Sequence, residues 1–319
     1  MHVYRDKPCE SIKPVSYLKN LTELYLDVPS AAVSDIAPLK GLTKLKKLSI
    51  ESDVSENISV LGNMKNLREL KIHVSKGADL TVLEKLTKLE TLKIYGDCTA
   101  EGLDSIVNLK KLKNLSLDGF YNYYGKHPDL SFIGEMTGLE SLSLSYSNKS
   151  FTNTIGNLKG LKELSLLDIN NCRTYDMSFL EELTGLESLF LFGHYGIDRV
   201  DYSKMKNLKS LDILLCEFKD LSSIKKCSSL EHFSVYNCNT DFDVKWIAGT
   251  NIKSIFFSGG ASGIIENMDK LSTLKKLEKL SLDFTGIPEE TIKKIKKAVP
   301  KCRIEVCELD RGEYDERVY

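Results

Sequence analysis

The side chains best able to do chemistry are few and scattered. Five histidines, His2, His73, His127, His194 and His232, fall in separate stretches of a 319-residue chain. His194 and His232 are placed where two segments could bring them near each other, yet no cysteine or carboxylate cluster accompanies them at ligand spacing. No P-loop, dinucleotide fingerprint, H-E-x-x-H pair, EF-hand loop or nucleophile elbow occurs. These observations argue against an enzyme, a cofactor and a metal centre. Binding chemistry is what remains. Large apolar groups recur at related positions, among them Leu167, Phe190, Phe192, Leu214, Tyr236 and Phe256, and residues 119–128 hold Tyr121, Tyr123 and Tyr124.

The elements that must position these groups come from a repeat. Residues 158–166 read L-x-x-L-x-x-L-x-L, and versions of this unit run almost from end to end. Aligned on the second leucine they give Leu21, Leu45, Leu67, Leu89, Leu112, Leu139, Leu161, Leu186, Leu208, Leu230, Ile252 and Leu277. The steps are 24, 22, 22, 23, 27, 22, 25, 22, 22, 22 and 25 residues. Such a period with this leucine spacing marks stacked leucine-rich coils. The closing pair of each unit, Leu164/Leu166 or Leu211/Ile213, alternates with polar residues and predicts one short strand per repeat. Upstream pairs such as Ile36/Leu39, Ile58/Leu61 and Leu221/Ile224 predict one turn of 3₁₀ or α-helix on the other side. A coil this short has no room for a long helix.

The segment Ser34-Asp35-Ile36-Ala37-Pro38-Leu39, followed by Gly41-Leu42-Thr43-Lys44-Leu45, resembles the 22-residue class of leucine-rich repeats. That class includes bacterial internalins and a nuclear regulator of a protein phosphatase, and the resemblance covers residues 12–306. It implies an α/β solenoid, a right-handed arc or horseshoe with a parallel sheet on its concave side, and protein binding as the usual role. The chain departs from the family at the turn asparagine, where Pro29, Asp53, Ser75, Asp97, Phe120, Ser147, Ile169, His194, Cys216, Cys238, Gly260 and Thr285 stand instead. Asp, Ser, Thr and Cys can still bond turn backbone groups.

Strand alternation predicts the concave surface column by column. One column holds Tyr25, Ser49, Lys71, Lys93, Ser116, Ser143, Ser165, Phe190, Asp212, Ser234, Phe256 and Ser281. The next holds Asp27, Glu51, His73, Tyr95, Asp118, Ser145, Leu167, Phe192, Leu214, Tyr236, Ser258 and Asp283. The surface therefore starts charged, turns serine-rich, and becomes apolar where Leu167, Phe192, Leu214 and Tyr236 follow one another. Contiguous apolar patches of this kind mark interaction sites. Partner contact is expected on that row with Phe190 and Phe256, joined by Tyr121, Tyr123 and Tyr124 from the inserted loop of the fifth repeat.

Domain organisation follows from the repeats. Residues 1–11 lead in, 12–287 form a solenoid of about twelve repeats, 288–307 a helix–strand cap, and 308–319 a charged, mobile tail. His2-Val3 offers a rudimentary first strand, and Pro288-Glu289-Glu290 opens the cap helix. A net charge of −1 gives no field favouring nucleic acid or an anionic membrane. No apolar run is long enough to span a membrane. Cys216, Cys227 and Cys238 read as buried and unpaired, and Cys302 and Cys307 lie on opposite faces of a strand. Reduced thiols and the lack of an apolar N-terminal core point to the cytoplasm, a secreted protein with its signal peptide removed being the alternative. The expected function is a non-catalytic scaffold for a protein partner. The rival is a homo-oligomer built on the apolar patch or on the uncapped N-terminal coil.

Overall fold

The computed structural model describes residues 1–3, 11–28, 33–75, 77–96, 101–119, 129–145, 154–167, 177–259, 264–283 and 285–307. The chain divides into two compact units, Met1–Asn170 and Asn171–Tyr319. The tyrosine loop and the charged tail lie outside the described residues.

In the first unit eight strands pair in parallel and in sequence order. They are β1 (His2–Val3), β2 (Glu23–Leu26), β3 (Lys47–Val54), β4 (Glu69–Val74), β5 (Thr91–Gly96), β6 (Asn114–Asp118), β7 (Ser141–Leu144) and β8 (Glu163–Leu167). Register follows the leucines, with Leu24 beside Leu48 and Leu70 beside Leu92. Those side chains are buried, as are Leu164 and Leu166, while Glu163 is exposed and Ser165 half-buried. The face of the sheet turned away from this core is here called the open face.

Each strand from β2 to β8 is reached through a 3₁₀ turn, such as Ala37–Gly41 and Thr81–Lys85. An aspartate two residues ahead fixes several of these turns: Asp35 accepts from the Ala37 amide at 2.7 Å and Asp79 from the Thr81 amide at 2.9 Å. Such side chains satisfy amides that the first turn leaves without an internal partner. The turn then buries Ile36 with Leu39, or Leu80 with Leu83. Gly96 closes β5 at φ +129°, where an added Cβ would come within 2.0 Å of the Val74 carbonyl oxygen.

The second unit repeats the plan with β9 (Ser188–Phe192), β10 (Ser210–Leu214), β11 (His232–Tyr236), β13 (Ser254–Ser258), β15 (Lys279–Asp283) and β16 (Arg303–Cys307) paired in parallel. On its opposite side β12 (Phe242–Asp243) pairs with β14 (Ile265–Glu266). Helix α1 (Glu289–Ala298) follows Pro288, carries Glu289 and Glu290 in its first turn, and leads to β16. The repeat that lacks its first leucine is rebuilt with rings. Phe242 meets Phe257 and Trp246 at 5.2 Å and Phe233 at 5.4 Å, and Ile247 is buried beside them.

Two details differ from strict alternation. A bulge between Ile50 and Asp53 places Asp53, not Glu51, across from His73. Ser116, Ser145, Ser258 and Ser281, expected on the open face, are buried. A serine is small enough to be covered, and its hydroxyl finds a partner: Ser145 accepts from the Gly119 amide at 2.7 Å and Ser281 donates to Glu305 at 2.9 Å.

Candidate interaction surface

The second unit brings most of the expected contact residues onto one open face. Parallel register sets Phe192 beside Leu214 and Leu214 beside Tyr236. In the adjoining row Phe190 is followed by Asp212, Ser234 and Phe256. Strands spaced ~4.8 Å apart give rows about 14 Å long across β9, β10, β11 and β13. Tyr236 and Phe256 stack with ring centroids 5.7 Å apart and planes 18° from parallel. Neighbouring side chains cover each other's flanks, so Phe190, Phe192, Leu214 and Phe256 are half-buried, while Tyr236 is 37% exposed. Leu167 ends β8 of the first unit and is also half-buried. Tyr121, Tyr123 and Tyr124 lie outside the described residues.

Leu215, directly after β10, is a further exposed apolar side chain that strand alternation does not predict. It is 47% exposed and holds φ +52°, a left-handed conformation that costs a leucine roughly 1–3 kcal/mol. The reason is a recurrent turn. Gly193, Leu215 and Asn237 all take positive φ at the same place after their strands. Their amides donate to the carbonyl oxygens of Leu214, Tyr236 and Ser258 at 2.9, 3.0 and 3.4 Å. Glycine and asparagine suit that geometry, and leucine does not. The sequence signal was there in the contrast between residues 193, 215 and 237.

Beneath the patch, cysteines occupy the turn positions. Cys216 donates its thiol to the Leu214 and Leu191 carbonyls at 3.3 and 3.5 Å, and Cys238 donates to that of Tyr236 at 3.6 Å. Burial pushes the Cys216 thiol up to about 12 and the Cys238 thiol up to about 11. Neutral, buried thiols serve as small packing groups, not nucleophiles. Cys227 is buried likewise, with its thiol on the Tyr202 carbonyl at 2.9 Å. His194 is buried and His232 exposed. Among the described residues no three His, Cys, Asp or Glu gather as metal ligands would. Nor is any helix there long and apolar enough to cross a membrane.

The open face of the first unit is charged. Tyr25, Lys47, Ser49, Glu69, Lys71 and Lys93 line a shallow depression. Lys47 pairs with Glu69 at 2.8 Å, Lys71 with Glu51 at 2.7 Å, and His73 with Asp53.

An internalin from Listeria monocytogenes superposes with a TM-score of 0.66 at 19% identity, covering 98% of this chain and 86% of its own. The chain has a leucine-rich repeat fold. A leucine-rich repeat protein of Leptospira interrogans matches with a TM-score of 0.52 at 17% identity, over 96% of this chain and 95% of its own. No protein-family model matches, and neither does any curated protein. At these identities the likeness extends to the repeat architecture: a long parallel sheet with short 3₁₀ connections.

Proposed function

We propose that this leucine-rich repeat chain is a non-catalytic scaffold that holds a protein partner on the open face of its second unit. The observation that carries the reading is the patch of Phe190, Phe192, Leu214, Tyr236 and Phe256 on one face, with the exposed Leu215 next to Leu214 in the chain. An apolar side chain fully left in water forgoes up to ~1.5–3 kcal/mol, so a cluster of them kept on a surface points to a use there. The strained Leu215 supports the same reading, since glycine or asparagine would satisfy the turn at lower cost. A standard interface covers roughly 800 Å² per partner, more than these rows alone provide. The flanking Ser188, Ser210 and Ser234 supply a polar rim of the kind that surrounds binding hot spots. Leu167 and Tyr121, Tyr123 and Tyr124 are further proposed contacts, but the proposal rests on the second unit.

The test is a double variant, Phe192→Ser with Leu214→Ser, compared with wild type in affinity capture after melting curves are shown to coincide. Loss of the captured protein from the folded variant supports the face. Undiminished capture removes it from contention. Light scattering at several concentrations separates a foreign partner from self-association, because a dimer abolished by the same variant would make the partner a second copy.

A further inference from the structure

We infer that the partner places a basic side chain, an arginine or lysine flanked by apolar residues, on Asp212. This rests on the proposed use of the same face. Asp212 stands inside the patch, with Phe190 beside it on one strand, Ser234 on the other, and Leu214 two residues ahead on its own. It is half-buried, and Ser210 donates to it at 3.1 Å. A carboxylate can accept about four hydrogen bonds, so one neutral donor leaves most of that capacity unused.

Cations that lead into or stand on the strands of this unit pair with other groups. Lys209 pairs with Glu187 at 2.6 Å and Lys253 with Glu231 at 2.9 Å. Lys279 and Arg303 pair with Glu305 at 3.4 and 2.7 Å. His232 lies across from Ser210, one step along the strand pair from Asp212. Among the described residues no ion pair reaches Asp212, so its carboxylate is open to a cation brought by a partner. The setting favours a cation over a neutral donor. Phe190 is Asp212's neighbour across the strand pair, aromatic rings attract a guanidinium or ammonium, and a guanidinium is weakly hydrated and stacks well. A partner carboxylate would instead meet a like charge. The apolar row of Phe192, Leu214 and Tyr236 then takes the neighbouring aliphatic or aromatic side chains.

The experiment pans a random twelve-residue peptide library on the full chain, on Asp212→Asn and on the Phe192→Ser, Leu214→Ser variant. Asparagine keeps the size of the side chain and an acceptor for Ser210, and matching melting curves confirm the fold. The expected result is enrichment of peptides with arginine or lysine within two residues of an aromatic or aliphatic residue. A synthetic winner should bind Asp212→Asn at least about tenfold more weakly, the loss anticipated for a charged hydrogen bond. Its arginine-to-citrulline version should bind wild type and Asp212→Asn alike. Apolar winners without a basic residue, or equal binding of the basic peptide to Asp212→Asn, overturn the inference while leaving the face in use. No enrichment at all, or winners indifferent to Phe192→Ser with Leu214→Ser, overturn both.

Discussion

In the first unit the open face carries charges that include the pairs Lys47 with Glu69 and Lys71 with Glu51, above a core of leucine, isoleucine, valine and methionine. In the second unit the same scaffold presents Phe192, Leu214 and Tyr236, pairs Asp212 with no cation among the described residues, and packs Phe218, Phe233, Phe242 and Phe257 into its core with Trp246 against them. The leucine ladder is common to both, so it cannot be what distinguishes them. What differs is the set of variable positions between the leucines. Self-neutralised charge keeps a surface soluble and contributes little energy. Apolar rows around an uncompensated carboxylate do the opposite, since both gain only when something covers them.

The largest effect expected from this contrast is in the cores. Phe242→Ala should cost about 3–5 kcal/mol, because four neighbouring rings lose their packing partner. Leu164→Ala in the aliphatic core should cost about 2–5 kcal/mol. Ser165→Ala, one residue on and half-buried, should stay within about 0.5 kcal/mol. Urea titration of the three variants measures all of this. A Phe242→Ala variant as stable as Ser165→Ala would mean that the rings fill space without contributing stability.

Next in size is Leu215→Asn, which should raise stability by about 1 kcal/mol by relieving the φ +52° conformation. The same change should weaken partner capture, because an apolar side chain 47% exposed next to Leu214 is removed. Gain of stability with loss of binding is the signature of a residue kept for contact. A variant that is destabilised would show that the leucine side chain packs more than it strains.

These two predictions also mark where the sequence was legible. Leucine at fixed spacing placed almost every strand and 3₁₀ turn, because burial of Leu24, Leu48 and their equivalents requires that register and no other. The polar positions were harder to read. Ser145 and Ser258 alternate correctly yet are buried, since serine fits either side of a sheet edge once its hydroxyl is bonded. The bulge at Ile50/Asp53 shifts a stretch, Glu51-Ser52-Asp53, with no apolar residue to reveal the change. Alternation puts Asp212 on the open face, but which described cations pair with it depends on where residues such as Lys209 and Lys253 find their partners. Local pattern does not carry that information. Leu215 gives no turn signal by itself, and only comparison with Gly193 and Asn237 exposes it.

A smaller effect, confined to acid, concerns the charged edge of the first unit. Lys113 and Lys162 flank Glu140 at 2.8 and 2.9 Å and lower its carboxyl from 4.5 to about 2. A carboxylate with a depressed value adds stability above its unfolded pKa and loses it as pH falls toward the folded one. Stability should therefore decline between about pH 4.5 and 2, and Glu140→Gln should flatten that part of the profile. Chemical denaturation at a series of acidic pH values reads the slope. An identical slope in the variant would show that the two lysines do not hold the carboxylate in solution.

The smallest expected effect is the sharpest check on the contrast between the faces. Lys71 pairs with Glu51 and lies 5.2 Å from the Tyr95 ring centroid, so it is the best-supported cation on the first open face. Its side chain is 36% exposed and that of Glu51 37%. Water and salt therefore screen the pair, and it should contribute no more than about 1 kcal/mol. Methionine at position 71 would keep the stem against Tyr95 and leave Glu51 free to hydrate. Lys71→Met should accordingly shift the urea midpoint little, and partner capture should not change. Binding of the basic peptide selected on the second unit should also be unaffected. If Lys71→Met abolished capture while melting normally, the charged face would be the contact surface, and the roles assigned to the two units would have to be exchanged.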